Sequence, residues 1–168
     1  LTPLRETELR AYLADCGAMG PKLGAFLIQT PAALEYDKQI LRTFLRRLRA
    51  CTEHLKISPD LAIEFRSQAW FNEDIYGLLR EFNVALVASH SSRWPYRFVR
   101  TADVLYFRLH GPTLLYGSPY SAERLKELRD VITPQLEGVK RAYIYFNNTM
   151  NGDAAVDAQK LRELFDES

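Results

Sequence analysis

Five short apolar runs punctuate this chain, and amphipathic stretches of helical period separate most of them. The runs are KLGAFLIQTP (22–31), DLAIEFR (60–66), NVALVASH (83–90), DVLYFRLHG (103–111) and RAYIYFNN (141–148). Each is nearly continuous in apolar residues, the pattern of a strand covered on both faces. Neighbouring parallel strands need a long crossover, which a helix supplies. The chain is therefore expected to be a single α/β domain with one parallel sheet. Its 168 residues suit one domain with an ordinary core.

The intervening segments carry helix signals. Residues 4–17 place Leu4, Leu9, Tyr12 and Leu13 at helical spacing, with Gly17 at the end. Tyr36 to Cys51 gathers Ile40, Leu41, Phe44, Leu45 and Leu48 on one face. Arg42, Arg46 and Arg49 lie on another face and read as a solvated surface. Residues 68–82 predict one helix, interrupted only by Gly77 at a cost of about 1 kcal/mol. Residues 121–137 follow a Ser121 cap, and 154–165 close as a helix. Residues 91–101 fit no long helix and read as an irregular loop.

Bulk properties exclude several classes. With 22 basic and 21 acidic residues, the net charge of +1 gives no global field for nucleic acid or membrane. Two cysteines, Cys16 and Cys51, are too few for a disulfide scaffold and are expected reduced and mostly buried. No apolar run approaches the ~20 residues of a membrane span, so a cytoplasmic setting is expected. The chain opens at Leu1 rather than methionine, which suggests processing or a longer parent protein.

In a parallel sheet the carboxyl ends of all strands share one rim, where ligand sites gather. The polar residues at those ends are Gln29, Glu64 with Arg66, His90, Arg108 with His110, and Asn147 with Asn148. Alternate strand residues face the same side, so Tyr106, Arg108 and His110 form one row and Leu105, Phe107 and Leu109 the other. There is no phosphate loop, zinc-protease helix or serine elbow. Glu64, His90 and His110 offer three ligands for a divalent metal. The expectation is nonetheless a site with neither metal nor cofactor.

The segments KLGAFLIQTP, AIEFRSQAWF, NVALVAS, TADVLYFRLHGP and AYIYFNNTMNGDAAVDAQKL follow one another as in the domain of unknown function 72 (YecE-like) family, which the chain resembles over nearly its whole length. The resemblance implies a TIM-type (β/α) barrel, an uncharacterised activity and a loose kinship with sugar-isomerase-like barrels. Its motif residues fall here on Gln29, Pro31, Glu64, Arg66, Trp70, Arg108, His110, Gly111, Asn147 and Asn148. By that count the five strands are the fourth to the eighth, and the first three are absent or unseen. A closed barrel typically needs about 250 residues. Family members often carry an aspartate where His90 stands, which weakens a metal role there.

The leading expectation is an isomerase- or hydrolase-like enzyme acting on a small polar or anionic molecule, sugar-like or phosphorylated. Glu64 and His110 are its acid and base, and Arg108 holds negative charge. Gln29, Arg66, His90, Asn147 and Asn148 bind substrate. The alternative is a non-catalytic module for a metabolite or nucleic acid, with Trp94, Tyr106, Tyr143 and Tyr145 as stacking surfaces and Arg93, Arg97 and Arg100 as the basic patch. Open edges of the outer strands offer a route to self-association.

Overall fold

The computed structural model describes residues 6–167, so the Leu4 expected in the first helix lies outside the described residues. Helix α1 (Glu6–Gly17) leads to strand β1 (Ala25–Gln29), then α2 (Lys38–His54) and β2 (Asp60–Glu64). Helix α3 (Glu73–Glu81), strands β3 (Val84–Leu86), β4 (Ala88–His90) and β5 (Val104–Leu109) follow. Helix α4 (Ala122–Ile132), strand β6 (Arg141–Phe146) and helix α5 (Asp153–Asp166) complete the order. All strand pairings are parallel, in two three-stranded sheets ordered β1-β2-β3 and β4-β5-β6. No closed barrel forms among the described residues, and the fold is a mixed α/β one.

Where five strands were expected there are six among the described residues, because the run 83–90 breaks at Val87. The cause is Thr101, at the end of the irregular loop. Its buried hydroxyl donates to Val84 O at 2.7 Å and accepts from Leu86 N at 2.8 Å. Those groups would otherwise pair with β5, and buried backbone groups must be satisfied. The Val87 amide still bonds Ile63 O at 2.9 Å, and the chain passes from one sheet to the other at this residue.

A second difference concerns residues 68–82. Gln68–Trp70 form one 3₁₀ turn, and α3 starts only at Glu73. Asn72 stops the first turn and caps the second: its side-chain oxygen accepts from Ile75 N while its amide donates to Ala69 O. Gly77 sits on the exposed side of α3 with open space around it.

The two faces of the sheets differ. Leu41, Leu45 and Leu48 of α2 and Ile75, Leu78 and Leu79 of α3 pack with Leu61, Ile63, Val84 and Leu86. On the second sheet Leu125, Leu128 and Leu161 pack with Leu109. Tyr12 and Ile40, placed on buried faces by periodicity, stand largely exposed, although Tyr12 meets Phe26 edge-on. Arg42 pairs with Glu81, and Arg49 donates to the carbonyls of Phe82 and Asn83, so the arginine face of α2 is partly engaged. Cys51 is buried, Cys16 only half-buried, and both are free.

The opposite face carries Ala25, Leu27, Ala62, Ala85, Val87, Val104, Tyr106 and Tyr143, and it is concave. In a flat sheet, β1 and β6 would lie about 19 Å apart, further than a tyrosine reaches. Yet a Cβ on Gly24, just before β1, would sit 3.3 Å from the Tyr143 hydroxyl of β6. That hydroxyl also donates to Asp60 at 2.8 Å, and Arg141 donates to the same carboxylate at 2.9 Å. The strands are therefore strongly curled around a face of small and aromatic side chains.

Candidate functional site

The carboxyl-terminal rim of the concave face is where the polar residues meet. Strand parity sends Gln29, Glu64, Ser89 and Arg108 into the concavity, and pairing sets Gln29 beside Glu64 and Ser89 beside Arg108. Glu64 is fully buried. One of its oxygens bonds Arg108 Nη1. The other accepts from Ser89 Oγ at 3.2 Å, with Arg66 Nη2 at 3.5 Å and His110 Nε2 at 3.8 Å. Burial opposes ionisation of this carboxyl, but His110, Arg108 and Arg66 outweigh it and hold it at about 2.

Gln29 closes the cluster from the other side. Its side-chain oxygen accepts from Arg66 Nη2 and Arg108 Nη1, each at 2.9 Å. Arg66 lies over the Trp94 ring at 4.3 Å and Arg93 over the same ring at 4.8 Å. The irregular loop thus supplies a wall for Arg66. Below Arg108, the Tyr106 ring packs at a tilt against Tyr143 and Tyr145, and burial together with Tyr145 lifts its hydroxyl to about 12. It stays neutral at neutral pH.

His110 follows β5, fully buried, with its amide donating to His90 O at 2.9 Å. Neither ring nitrogen has a hydrogen-bond partner among the described residues. Such a group costs about 1–3 kcal/mol where it stands, so a buried one invites a functional account. Tyr116 meets the imidazole edge-on with centroids 5.3 Å apart, and its amide donates to His110 O. Tyr116 itself takes a left-handed backbone at φ 64, strain of the kind that gathers at functional sites.

His90 and Asn148 belong to another network. His90 follows Ser89, so parity turns it to the helix side, where Nδ1 lies 2.9 Å from the Tyr120 hydroxyl. Burial, then Arg124 and His110, lowers its pKa. Tyr120 N and Asn148 Nδ2 both donate to Asp157 of α5, at 2.9 and 2.8 Å. Asn148 also donates to Ser118 O, which ties together the loops after β5 and β6. Asn147 keeps the concave parity of Tyr143 and Tyr145, and its side-chain oxygen is buried without a partner among the described residues. Glu64, His90 and His110 do not converge as metal ligands, and no group of three such side chains does among the described residues.

Sequence reasoning brought Gln29, Glu64, Arg66, Arg108 and His110 to one place, and the structure assembles them. It missed Ser89, which parity counted from Val87 would have found. Tyr116 and Tyr120 had no local signal, since their roles depend on how the 111–120 loop folds back. Among the described residues no helix is long and apolar enough to cross a membrane.

The family model for the protein of unknown function DUF72 matches residues 2–168. Among solved structures, the chain is similar to a DUF72 family protein from Thermotoga maritima MSB8, with a TM-score of 0.82 and 26% identity over 96% of this chain and 65% of that one. Two crystal structures of a DUF72 family protein from Enterococcus faecalis V583 align with TM-scores of 0.80 and 0.78, at 21% and 22% identity. They are matched over 98% of this chain and 67% and 70% of theirs. This chain therefore spans about two thirds of the length of these solved relatives. No curated protein matches it.

Proposed function

The chain belongs to the DUF72 family, whose function is unknown, and we propose from its site that it is an acid–base enzyme for a small polar, sugar-like molecule held at the concave rim. The observation that carries this reading is His110, a buried imidazole with no hydrogen bond to either nitrogen among the described residues and with Nε2 3.8 Å from the Glu64 carboxylate. A carboxyl held at about 2 is a weak base, so the proton-transfer role expected of Glu64 passes to His110. Glu64 becomes the fixed anion facing the imidazole and anchoring Arg108. Arg108 meets negative charge developing on a substrate oxygen. Asn147 orients a hydroxyl, and this reading requires Tyr116, edge-on to the fully buried His110, to move aside before substrate meets the imidazole. Proton transfer beside a carbonyl, as in an isomerisation, is the reaction class that one imidazole and one guanidinium serve directly.

The same reading takes the curled sheet, with β3 and β4 counted as one broken strand, as the fourth to eighth strands of a TIM-type barrel. The side chains that bridge β6 to β2 and β5 to β1 support it, as does the greater length of the solved relatives. The remaining strands would then complete the rim.

The test is solvent exchange at carbon. Incubated in D2O with a panel of small hydroxyaldehydes, hydroxyketones and their phosphate esters, the protein is expected to catalyse deuterium incorporation next to the carbonyl of at least one member. His110→Gln is expected to lower that rate about a hundredfold or more. Equal exchange by wild type and His110→Gln would overturn the role of His110. Saturable binding without exchange would make the site a non-catalytic module.

A further inference from the structure

Two guanidinium groups at the rim converge on a single neutral oxygen. Arg66 and Arg108 each donate to Gln29 Oε1 at 2.9 Å, although guanidinium bonds to charged oxygens are roughly twice as strong. Their one carboxylate partner among the described residues is Glu64, which binds Arg108 closely and Arg66 only at 3.5 Å. Arg66 Nε is buried with no partner among the described residues. The cluster thus holds two fixed positive charges against one negative, and buried charge is costly unless paired.

Access decides which groups a ligand meets. The Glu64 side chain is 0% exposed, whereas Arg66 and Arg108 keep 13% and 15% open and Gln29 is exposed. A molecule arriving from solvent reaches Gln29 and the guanidiniums, never the carboxylate. The Trp94 ring lies 4.3 Å from the Arg66 guanidinium carbon, a cation–π contact that favours this position of the donor. Gln29 is the uncharged member, an exposed side chain at the end of β1 among the described residues.

We propose that the Gln29 side-chain oxygen stands in for a ligand anion, and that the site takes the carboxylate or phosphate group of its substrate on Arg66 and Arg108. This rests on reading the rim as a substrate site and names the handle by which substrate is held. The incoming group brings two anionic oxygens, one for each guanidinium, and Gln29 swings out. The second negative charge then balances the second arginine.

Binding is read by calorimetry with inorganic phosphate and, separately, glycolate, together with the thermal midpoint without anion. Wild type is expected to bind at least one of them. Gln29→Ala is expected to bind it several-fold more tightly, because nothing has to be displaced. Gln29→Glu fills the place with its own carboxylate, so it is expected to bind about tenfold more weakly or worse and to melt higher without anion. Binding of phosphate alone assigns a phosphate ester, and binding of glycolate alone assigns a carboxylate; either result supports the proposal. Failure of both anions to bind, or wild-type affinity in Gln29→Glu, overturns it. Because no turnover is measured, anion binding without deuterium exchange would defeat the acid–base reading and leave this one standing.

Discussion

Glu64→Gln is expected to destabilise the chain by about 3–5 kcal/mol at neutral pH, because it leaves the Arg108 and Arg66 guanidiniums without their buried counter-charge. In a domain of this size that lowers the melting temperature on the order of 10 °C. The effect carries a pH signature. The Glu64 carboxyl is held at about 2 against an ordinary 4.5, a depression worth on the order of 3 kcal/mol to the folded chain. A depressed folded-state pKa gives stability that is fully present above about pH 4.5 and is lost as pH falls toward 2. The difference between wild type and variant should therefore be constant above pH 5 and shrink steadily below it. Urea unfolding from pH 7 to pH 2.5 reads it directly. A pH-independent difference would mean that Glu64 contributes shape rather than charge. In the double variant with Arg108→Gln, part of the loss should return, since the orphaned cation is gone as well.

The second large effect is expected at Gly111. Its φ of +100 is a conformation that side chains rarely adopt. A Cβ there would stand 2.5 Å from Leu114 O and 2.9 Å from Ser118 Oγ. Neither neighbour can retreat cheaply. Ser118 Oγ accepts from the amides of Thr113 and Leu114 and donates to Leu114 O, so it is the knot of the loop. Gly111→Ala should cost about 3 kcal/mol or more, combining backbone strain with a clash against main chain. The damage should also be local: faster hydrogen exchange at Thr113 and Leu114, and at Tyr116, whose amide holds His110 O. Gly77→Ala is the matched control. That site is helical, exposed and surrounded by open space, so the same substitution should stabilise by up to about 1 kcal/mol. Equal effects at the two positions would refute the steric argument.

These two residues show what was readable and what was not. Glu64 was legible because alternation along DLAIEFR puts it on one face with Ala62, and the same rule sends Arg108 and His110 together along VLYFRLHG. His90 was misplaced because chemistry, rather than parity, selected it; Val87 and Ser89 share the concave face and His90 does not. Adjacent Asn147 and Asn148 face opposite sides for the same reason, and Asn148 serves Asp157 instead of the rim. The break at Val87 depends on Thr101, whose side chain bonds Leu86 from 15 residues further along the chain. No local pattern carries such a contact. The break at Asn72 was nearer to hand, since asparagine inside an apolar periodic stretch is also a capping residue.

The bridging bonds across the concave face have a consequence for how the molecule comes into being. Arg108 meets Gln29 across 79 residues of chain, and Tyr143 meets Asp60 across 83. Contacts so distant in sequence slow folding, because loop closure must precede the reward. During synthesis at ~5–20 residues per second, Glu64 waits roughly two to nine seconds for the arginine that neutralises it, 44 residues later. Until then its strand, flanked by β1 and β3, holds a carboxylate whose close counter-charge is missing, with only Arg66 nearby. A nascent chain stalled before Arg108 is thus expected to be a chaperone client, and the rim is born all at once, late.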